Sequence, residues 1–196
     1  MIKYEDLVKL NAVAIYGRTG SGKTATAFKI LEEYKGKKTI YVLKHPKPEL
    51  ITALGYFNLN TMEEVVKLQD CVVYWDEPQL SLLGIQEYKR DTTLAKFMSL
   101  ARQKDVNLII SSSDTRTFSP KVEQYFDGWF IKDTDFSLTK QRSYLRTIIK
   151  NYTTFFAEEF SLEQDEVLFY SKKIRNLCGK IKIELPNAWS ETLSKP

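Results

Sequence analysis

The sequence predicts an α/β fold, a mostly parallel sheet with helices on both faces, and three observations carry that prediction. Short apolar runs alternate along the chain with stretches of helical spacing. Gly, Pro and polar clusters bound those runs and end each regular element. Several runs finish in polar residues, which a parallel sheet collects at its carboxyl edge, where ligands bind. The 196 residues are expected to form one domain, with a core over about 12–132 and a C-terminal elaboration over 133–196.

Ala12 to Tyr16 is an apolar run that enters a glycine-rich loop and reads as the first strand. From Lys23 the spacing turns helical, with Ala27, Ile30, Leu31 and Tyr34 on one side, and Gly36 ends that helix. Thr39 to Leu43 is a β-branched second strand, followed by Lys44-His45-Pro46-Lys47-Pro48, whose prolines break regular structure. Residues 49–60 carry no clear pattern. Thr61 can cap a short helix with Glu64 placed for the reciprocal bond, turning Met62, Val65 and Val66 inward.

Cys71 to Trp75 reads as the third strand, closed by Asp76-Glu77-Pro78. A loop leads to a helix around Thr92 to Gln103, with Leu94, Phe97, Met98 and Ala101 as its apolar stripe. Val106 to Ile110 is the fourth strand and runs into Ser111-Ser112-Ser113-Asp114; Pro120 starts a helix at its first position; Gly128 to Lys132 is the fifth strand. Tyr144 to Phe160 is mixed in period and fits a hairpin or a helix. Val167 to Tyr170 and Lys180 to Leu185 read as late strands, and the tail from Asn187 packs through Trp189.

The loop after the first strand is Gly17-Arg18-Thr19-Gly20-Ser21-Gly22-Lys23-Thr24. It matches G-x-x-x-x-G-K-T between a strand and a helix, the setting that a phosphate-binding loop requires. Its glycines let successive N–H groups curl towards phosphate oxygens, and the helix adds its unused N-terminal donors. Lys23 is expected to reach the β- and γ-phosphates of ATP, and the Thr24 hydroxyl to ligate Mg2+. Asp76, lifted to the mouth of the sheet by the third strand, would hold the magnesium shell. Glu77 beside it can orient or deprotonate an attacking water, which favours hydrolysis, although a solvated loop acid is the simpler alternative. Ser112 or Ser113 is the candidate sensor of the γ-phosphate, with Ser111 second; these serines can equally cap the next turn.

An arginine supplied by a neighbouring subunit would neutralise transition-state charge. Arg90, Arg102 and Arg116 are the candidates, with Arg102 and Arg116 ranked ahead and ordinary surface charge the alternative for each. Lys44, His45 and Lys47 form one basic loop and Lys89 with Arg90 another, without the interleaved aromatics of a base-stacking platform. A net charge of +4 permits a polyanionic partner without establishing one. Cys71 and Cys178 do not make a disulfide framework, and the lone His45 does not suggest a metal site. Lys3, Glu5 and Asp6 stand where a secretory signal would need an apolar core, and no apolar run reaches the roughly 18 residues of a membrane span. A reducing, intracellular setting is expected.

Taken together, residues 17–24, Val72-Val73-Tyr74-Trp75-Asp76-Glu77 and the stretch Leu100 to Asp114 resemble the FtsK/HerA class of P-loop motor ATPases. Within that class they look most like the small genome-packaging ATPases of archaeal and other internal-membrane viruses, and the segment from Leu185 to Lys195 resembles the tail of such proteins. The resemblance implies a RecA/FtsK-like P-loop NTPase with late additional strands. It further implies a homo-oligomeric ring, a hexamer, that couples ATP hydrolysis to translocation of double-stranded DNA into a preformed capsid. Capsid or portal-vertex proteins would then be partners, and the cytoplasm of an infected host cell or the virion the location. Members of the class commonly end the fourth strand in Gln; here Ser112 or Ser113 stands in that region. Three alternatives remain open: a phage-type virion assembly or secretion ATPase, a nucleoside or nucleotide kinase, and a non-hydrolytic NTP-regulated subunit. The Asp76–Glu77 pair counts against the kinase.

Overall fold

The computed structural model describes residues 4–78, 87–113, 118–132, 148, 162–174, 177–187 and 189–190. Along the described chain the elements are α1 (Tyr4–Leu7), β1 (Ala12–Tyr16), α2 (Lys23–Glu32), β2 (Thr39–Leu43), α3 (Pro48–Ala53), β3 (Phe57–Leu59) and α4 (Met62–Val65). They continue with β4 (Cys71–Asp76), α5 (Glu87–Gln103), β5 (Val106–Ser112), α6 (Pro120–Glu123), β6 (Gly128–Ile131), β7 (Glu166–Ser171) and β8 (Leu177–Lys182). All the strands join one sheet in the order β3-β2-β4-β5-β1-β6-β7-β8. The pairings from β3 to β6 are parallel, while β6–β7 and β7–β8 are antiparallel. The expected mostly parallel sheet with late additional strands is therefore what forms.

Burial on both faces explains why the central strands are apolar without alternation: β1 is buried at all its positions, as is β5. The pleat then divides their side chains between two cores. Ala12, Ala14, Val73, Trp75, Leu108 and Ile110 pack with the α5 stripe of Leu94, Phe97, Met98 and Ala101. Val13, Ile15, Val72, Tyr74 and Ile109 pack on the other face with Ala27, Phe28, Ile30 and Leu31 of α2. The expected helix stripes are thus buried, and each helix lies on its own side of the sheet. Thr61 and Glu64 form the anticipated capping box, with Thr61 Oγ1 accepting from Glu64 N at 3.2 Å and Glu64 Oε2 accepting from Thr61 N at 2.9 Å.

Several boundaries differ from the sequence reading. The patternless stretch after Lys47 holds α3, opened by Pro48 in its first turn, and the short edge strand β3, whose Phe57 is exposed. A three-residue edge strand is too short to register as periodicity. Helix α5 begins at Glu87 rather than near Thr92, because its first turns, Glu87 to Asp91, offer no apolar stripe. Strand β8 ends at Lys182, so Ile183 to Leu185 lie beyond it. The segment Tyr144 to Phe160 lies outside the described residues apart from Ile148, which is buried.

Asn107 anchors the start of β5. Its Nδ2 donates to the Leu10 carbonyl at 2.7 Å and its Oδ1 accepts from Lys38 Nζ at 2.9 Å, all from a residue that is 4% exposed. Removing this buried side chain takes the Asn107 donor away from the Leu10 carbonyl, while Lys38 keeps Asp70 and Asp105, and a loss of this kind costs about 1–3 kcal/mol. Asn107→Ala is expected to lower the unfolding free energy by about 2 kcal/mol, read as a lower urea midpoint at unchanged m-value.

Candidate active site

The polar groups meet at the carboxyl edge of β1, β4 and β5. There β1 runs into the glycine-rich loop, which feeds the N-terminus of α2. Gly20 and Gly22 adopt φ of 81° and 88°, the left-handed region that side chains avoid. Gly17 is tight for a different reason: a Cβ there would collide with Ser21 Oγ and stand 3.0 Å from Lys132 Cβ. Ser21 Oγ is buried without a hydrogen-bond partner among the described residues. Beneath this cradle, Lys23 is 7% exposed; its ammonium donates to the Arg18 carbonyl at 3.3 Å and lies 3.2 Å from Glu77 Oε1. Arg18, Thr19 and Gly20 are exposed on the crest of the loop.

Strand β5 holds the acids in place. The register sets Asp76 opposite Ser111, and Ser111 Oγ donates to Asp76 Oδ1. The buried Tyr74 hydroxyl lies 3.0 Å from Ser111 Oγ and also reaches Thr24 and Asp76. Burial, with the Asp76 charge adding, pushes the Tyr74 phenol well above its usual range. One residue on, Glu77 N donates to the Ser111 carbonyl at 3.0 Å. Glu77 Oε2 accepts from both the backbone N–H and the hydroxyl of Ser113, at 3.0 and 3.1 Å. Glu77 has a φ of 43°, an unusual backbone state for a residue with a side chain.

The three serines therefore separate by role. Ser111 bonds Asp76, Ser113 bonds Glu77, and Ser112 is fully buried with its carbonyl accepting the Gly17 N–H at 3.4 Å. Burial raises the Asp76 pKa first of all; the Ser111 hydrogen bond and Lys23 pull it back, while the Glu77 charge adds to the rise.

Oxygen donors suit Mg2+, and Thr24 and Asp76, joined through the Tyr74 hydroxyl, are the residues here that could hold it. The glycine cradle with Lys23 fits a polyphosphate. The arginines are not gathered at this edge. Arg102 is exposed in the last turn of α5, just before β5 begins. Because α5 runs back against the strands, that turn lies at the opposite edge of the sheet, contrary to the expected position near the acids. Arg116 and the Arg90 side chain lie outside the described residues, as do the side chain of Lys89 and Asp114.

Lys132 is the residue that sequence reasoning passed over as a strand end. It is 8% exposed; Nζ donates to the carbonyls of Gln164 at 2.8 Å and Glu166 at 3.1 Å, and its Cε would stand 3.3 Å from a Cβ on Gly22. Burial lowers its pKa, offset in part by Asp165. The only signal for it in the sequence was a lysine closing an apolar run. Beside it, a cavity of about 860 Å³ opens from the loop and Thr24 towards Ile183, Leu185 and Trp189.

Neither a protein-family model nor a curated protein matches the chain at the level of sequence. Solved structures do match its fold. The genome packaging NTPase B204 of Sulfolobus turreted icosahedral virus 2, in complex with sulfate, superposes with a TM-score of 0.65 at 17% identity, covering 89% of this chain and 97% of that one. The conjugation coupling protein TcpA of pCW3 gives 0.60 at 13% identity over 93% of this chain and 62% of that one. EssC (ATPases 2 and 3) from Geobacillus thermodenitrificans gives 0.60 at 14% identity over 92% of this chain and 40% of that one. These structures share the mostly parallel sheet with flanking helices that the sequence predicted.

The Asp76 environment has a testable sign. A carboxyl whose folded pKa is raised favours the folded state below the ordinary carboxylate value, and that stability is lost as pH rises through the raised value. Asp76→Asn keeps an acceptor for Ser111 without the buried charge. It is expected to raise the Tm at pH 7 by roughly 2–4 °C, the shift that about 1 kcal/mol gives in a chain of this size. Thermal melts from pH 7 to 4 should show the gap closing.

Proposed function

We propose that the chain hydrolyses ATP with Mg2+ and uses the energy to translocate double-stranded DNA, packaging a viral genome into a capsid. The single observation that carries the hydrolytic half is Glu77. Its carboxylate stands 3.2 Å from the Lys23 ammonium and is pinned at its other oxygen by Ser113. A carboxylate oriented in this way, beside the ammonium that would hold the γ-phosphate, is suited to align and deprotonate a water aimed at that phosphate.

Each residue has a defined part. The amides of residues 17–24 and the Lys23 ammonium bind and neutralise the phosphates. Thr24 and Asp76 would hold Mg2+, which supplies positive charge to the phosphate oxygens. Glu77 takes the proton from water, and Ser113, in contact with the Glu77 carboxylate, acts as the sensor in preference to Ser112. Water as acceptor is what separates this reading from a nucleoside or nucleotide kinase.

Support for the DNA half is of a different kind. The fold is shared with a genome packaging NTPase and with a conjugation coupling protein. In addition, the loop after β2 exposes Lys44 at the same carboxyl edge as the phosphate loop. His45 stiffens this loop, its Nδ1 accepting from Lys47 N at 3.1 Å while its ring packs 6.4 Å from that of Phe28. A basic, stiffened loop can hold a phosphate backbone without reading bases. In this proposal the subunits form a homo-oligomeric ring, a hexamer, around the duplex. Arg116 is the candidate for completing the neighbour's site, and capsid or portal-vertex proteins would anchor the ring. The working place is the cytoplasm of an infected cell or the virion. Among the described residues no helix is long and apolar enough to cross a membrane.

Steady-state ATP turnover measured with and without long duplex DNA tests the reading. Stimulation by DNA is expected; kcat indifferent to DNA under conditions where the ring assembles would remove the motor. Glu77→Gln should lower kcat by about 10²–10⁴-fold while retaining nucleotide binding. For Ser113→Ala, which removes the hydroxyl bond to the Glu77 carboxylate and leaves only the backbone N–H there, a loss in kcat of up to about 100-fold at little-changed KM is expected. Equal kcat for wild type and Ser113→Ala would remove Ser113 from the mechanism.

A further inference from the structure

The cavity beside the phosphate loop is larger than the loop itself requires. It begins at Thr24 and ends at Ile183, Leu185 and Trp189, which come from the end of β8 and the segment that follows. Its volume of about 860 Å³ is in the range of sites that enclose a whole small ligand. The far end differs in chemistry from the near end. Leu185 is 63% exposed, one of few large apolar side chains at the described surface, and Trp189 is half-buried against the α2-side core. Asp165, which lies 3.6 Å from Lys182 Nζ, and Glu184 stand at the rim. Lys132 belongs to the phosphate end, its Cε 3.3 Å from where a Cβ on Gly22 would stand and its ammonium bonded to two backbone carbonyls.

The wall is also built rather than loosely draped. Asn187 N donates to Glu32 Oε1 at 2.6 Å, fastening the segment to the end of α2, and Trp189 N donates to the Pro186 carbonyl at 3.0 Å. At the other side Lys132 fastens residues 164 and 166 over the phosphate loop. The cavity is thus a fixed channel, cationic where the phosphates belong, then apolar and aromatic with an acidic rim. An acidic rim repels a further anion and accepts hydrogen bonds from neutral N–H and O–H groups. A ligand whose phosphates lie in the loop would carry just such a group covalently attached, its nucleoside.

We infer that the C-terminal segment is the nucleoside half of the site: Leu185 and Trp189 hold the base by its faces, and Asp165 and Glu184 accept from the ribose and base donors. This rests on the reading of residues 17–24 as a polyphosphate cradle. Face-on apolar contact has no edge code to read, so affinity for the nucleoside comes from area and stacking, and the late strands are part of the catalytic domain's ligand-binding wall.

The test compares Mg-ATP with inorganic tripolyphosphate by calorimetry on the full chain. Wild type should bind ATP at least about tenfold more tightly than tripolyphosphate, the order of effect that aromatic contact with one base gives. Leu185→Ala and Trp189→Ala should each weaken ATP binding by roughly tenfold and leave tripolyphosphate binding unchanged, which also shows that the variants are folded. Equal affinity of wild type for the two ligands, or equal losses for both ligands in the variants, overturns the nucleoside site while leaving the cradle standing. Failure of wild type to bind either ligand would overturn the cradle itself, and the nucleoside site with it.

Discussion

Everything at the site depends on β5 lying between β1 and β4 in parallel register. That strand receives Gly17 N–H on one side and Glu77 N–H on the other, and it supplies the hydroxyls that hold both acids. The side-chain period of a strand is two, so a slip of one residue would turn Ser111 away from Asp76 and Ser113 away from Glu77. Burial of β5 along its whole length prevents such a slip, because the same shift would send Ile109 and Ile110 to the wrong cores. The geometry of the site is set by the hydrophobic sorting of one strand.

On that frame the charges are arranged in a compact circuit. Lys23 faces Glu77, and Asp76 sits beside Glu77 with Ser111 and Tyr74 bonded around it. Burial above all, and then the neighbouring Glu77 charge, oppose the ionisation of Asp76. A single buried ammonium and a set of hydroxyls offset that cost only in part, which is why the Asp76 carboxyl is held above its usual range. A site of this kind gains from binding positive charge. The unfavourable environment of Asp76 is thus consistent with a role in cation binding.

Much of this was legible in the sequence because it was written in patterns with a physical period. The strand ends before Gly17, at Asp76 and at Ser111 to Ser113 were visible as apolar runs giving way to polar residues. The α5 stripe and the capping box at Thr61 followed from helical spacing. What stayed hidden had no period. Strand β3 is too short to show one, and the sequence from Glu87 to Asp91 carries no apolar stripe. Lys132 becomes notable only when β6 is seen to pair with β1 and its ammonium to bond carbonyls 32 and 34 residues away. Which serine serves which acid is likewise a matter of register, and the placing of Arg102 needed the direction of α5 relative to the strands. Leu185 and Trp189, read separately as a strand end and a tail contact, share a cavity only because β7 and β8 turn back antiparallel.

The backbone at Glu77 has a consequence for which residues this position will accept. With φ at 43°, the main chain there favours glycine or asparagine over glutamate. A library selected for heat resistance alone would therefore drift towards those two residues and away from the acid, whereas under the proposed role of Glu77 selection for turnover would return glutamate despite the strain. Position 77 is a place where ease of folding and usefulness pull apart, and the identity of the residue found there reports which of the two has governed it.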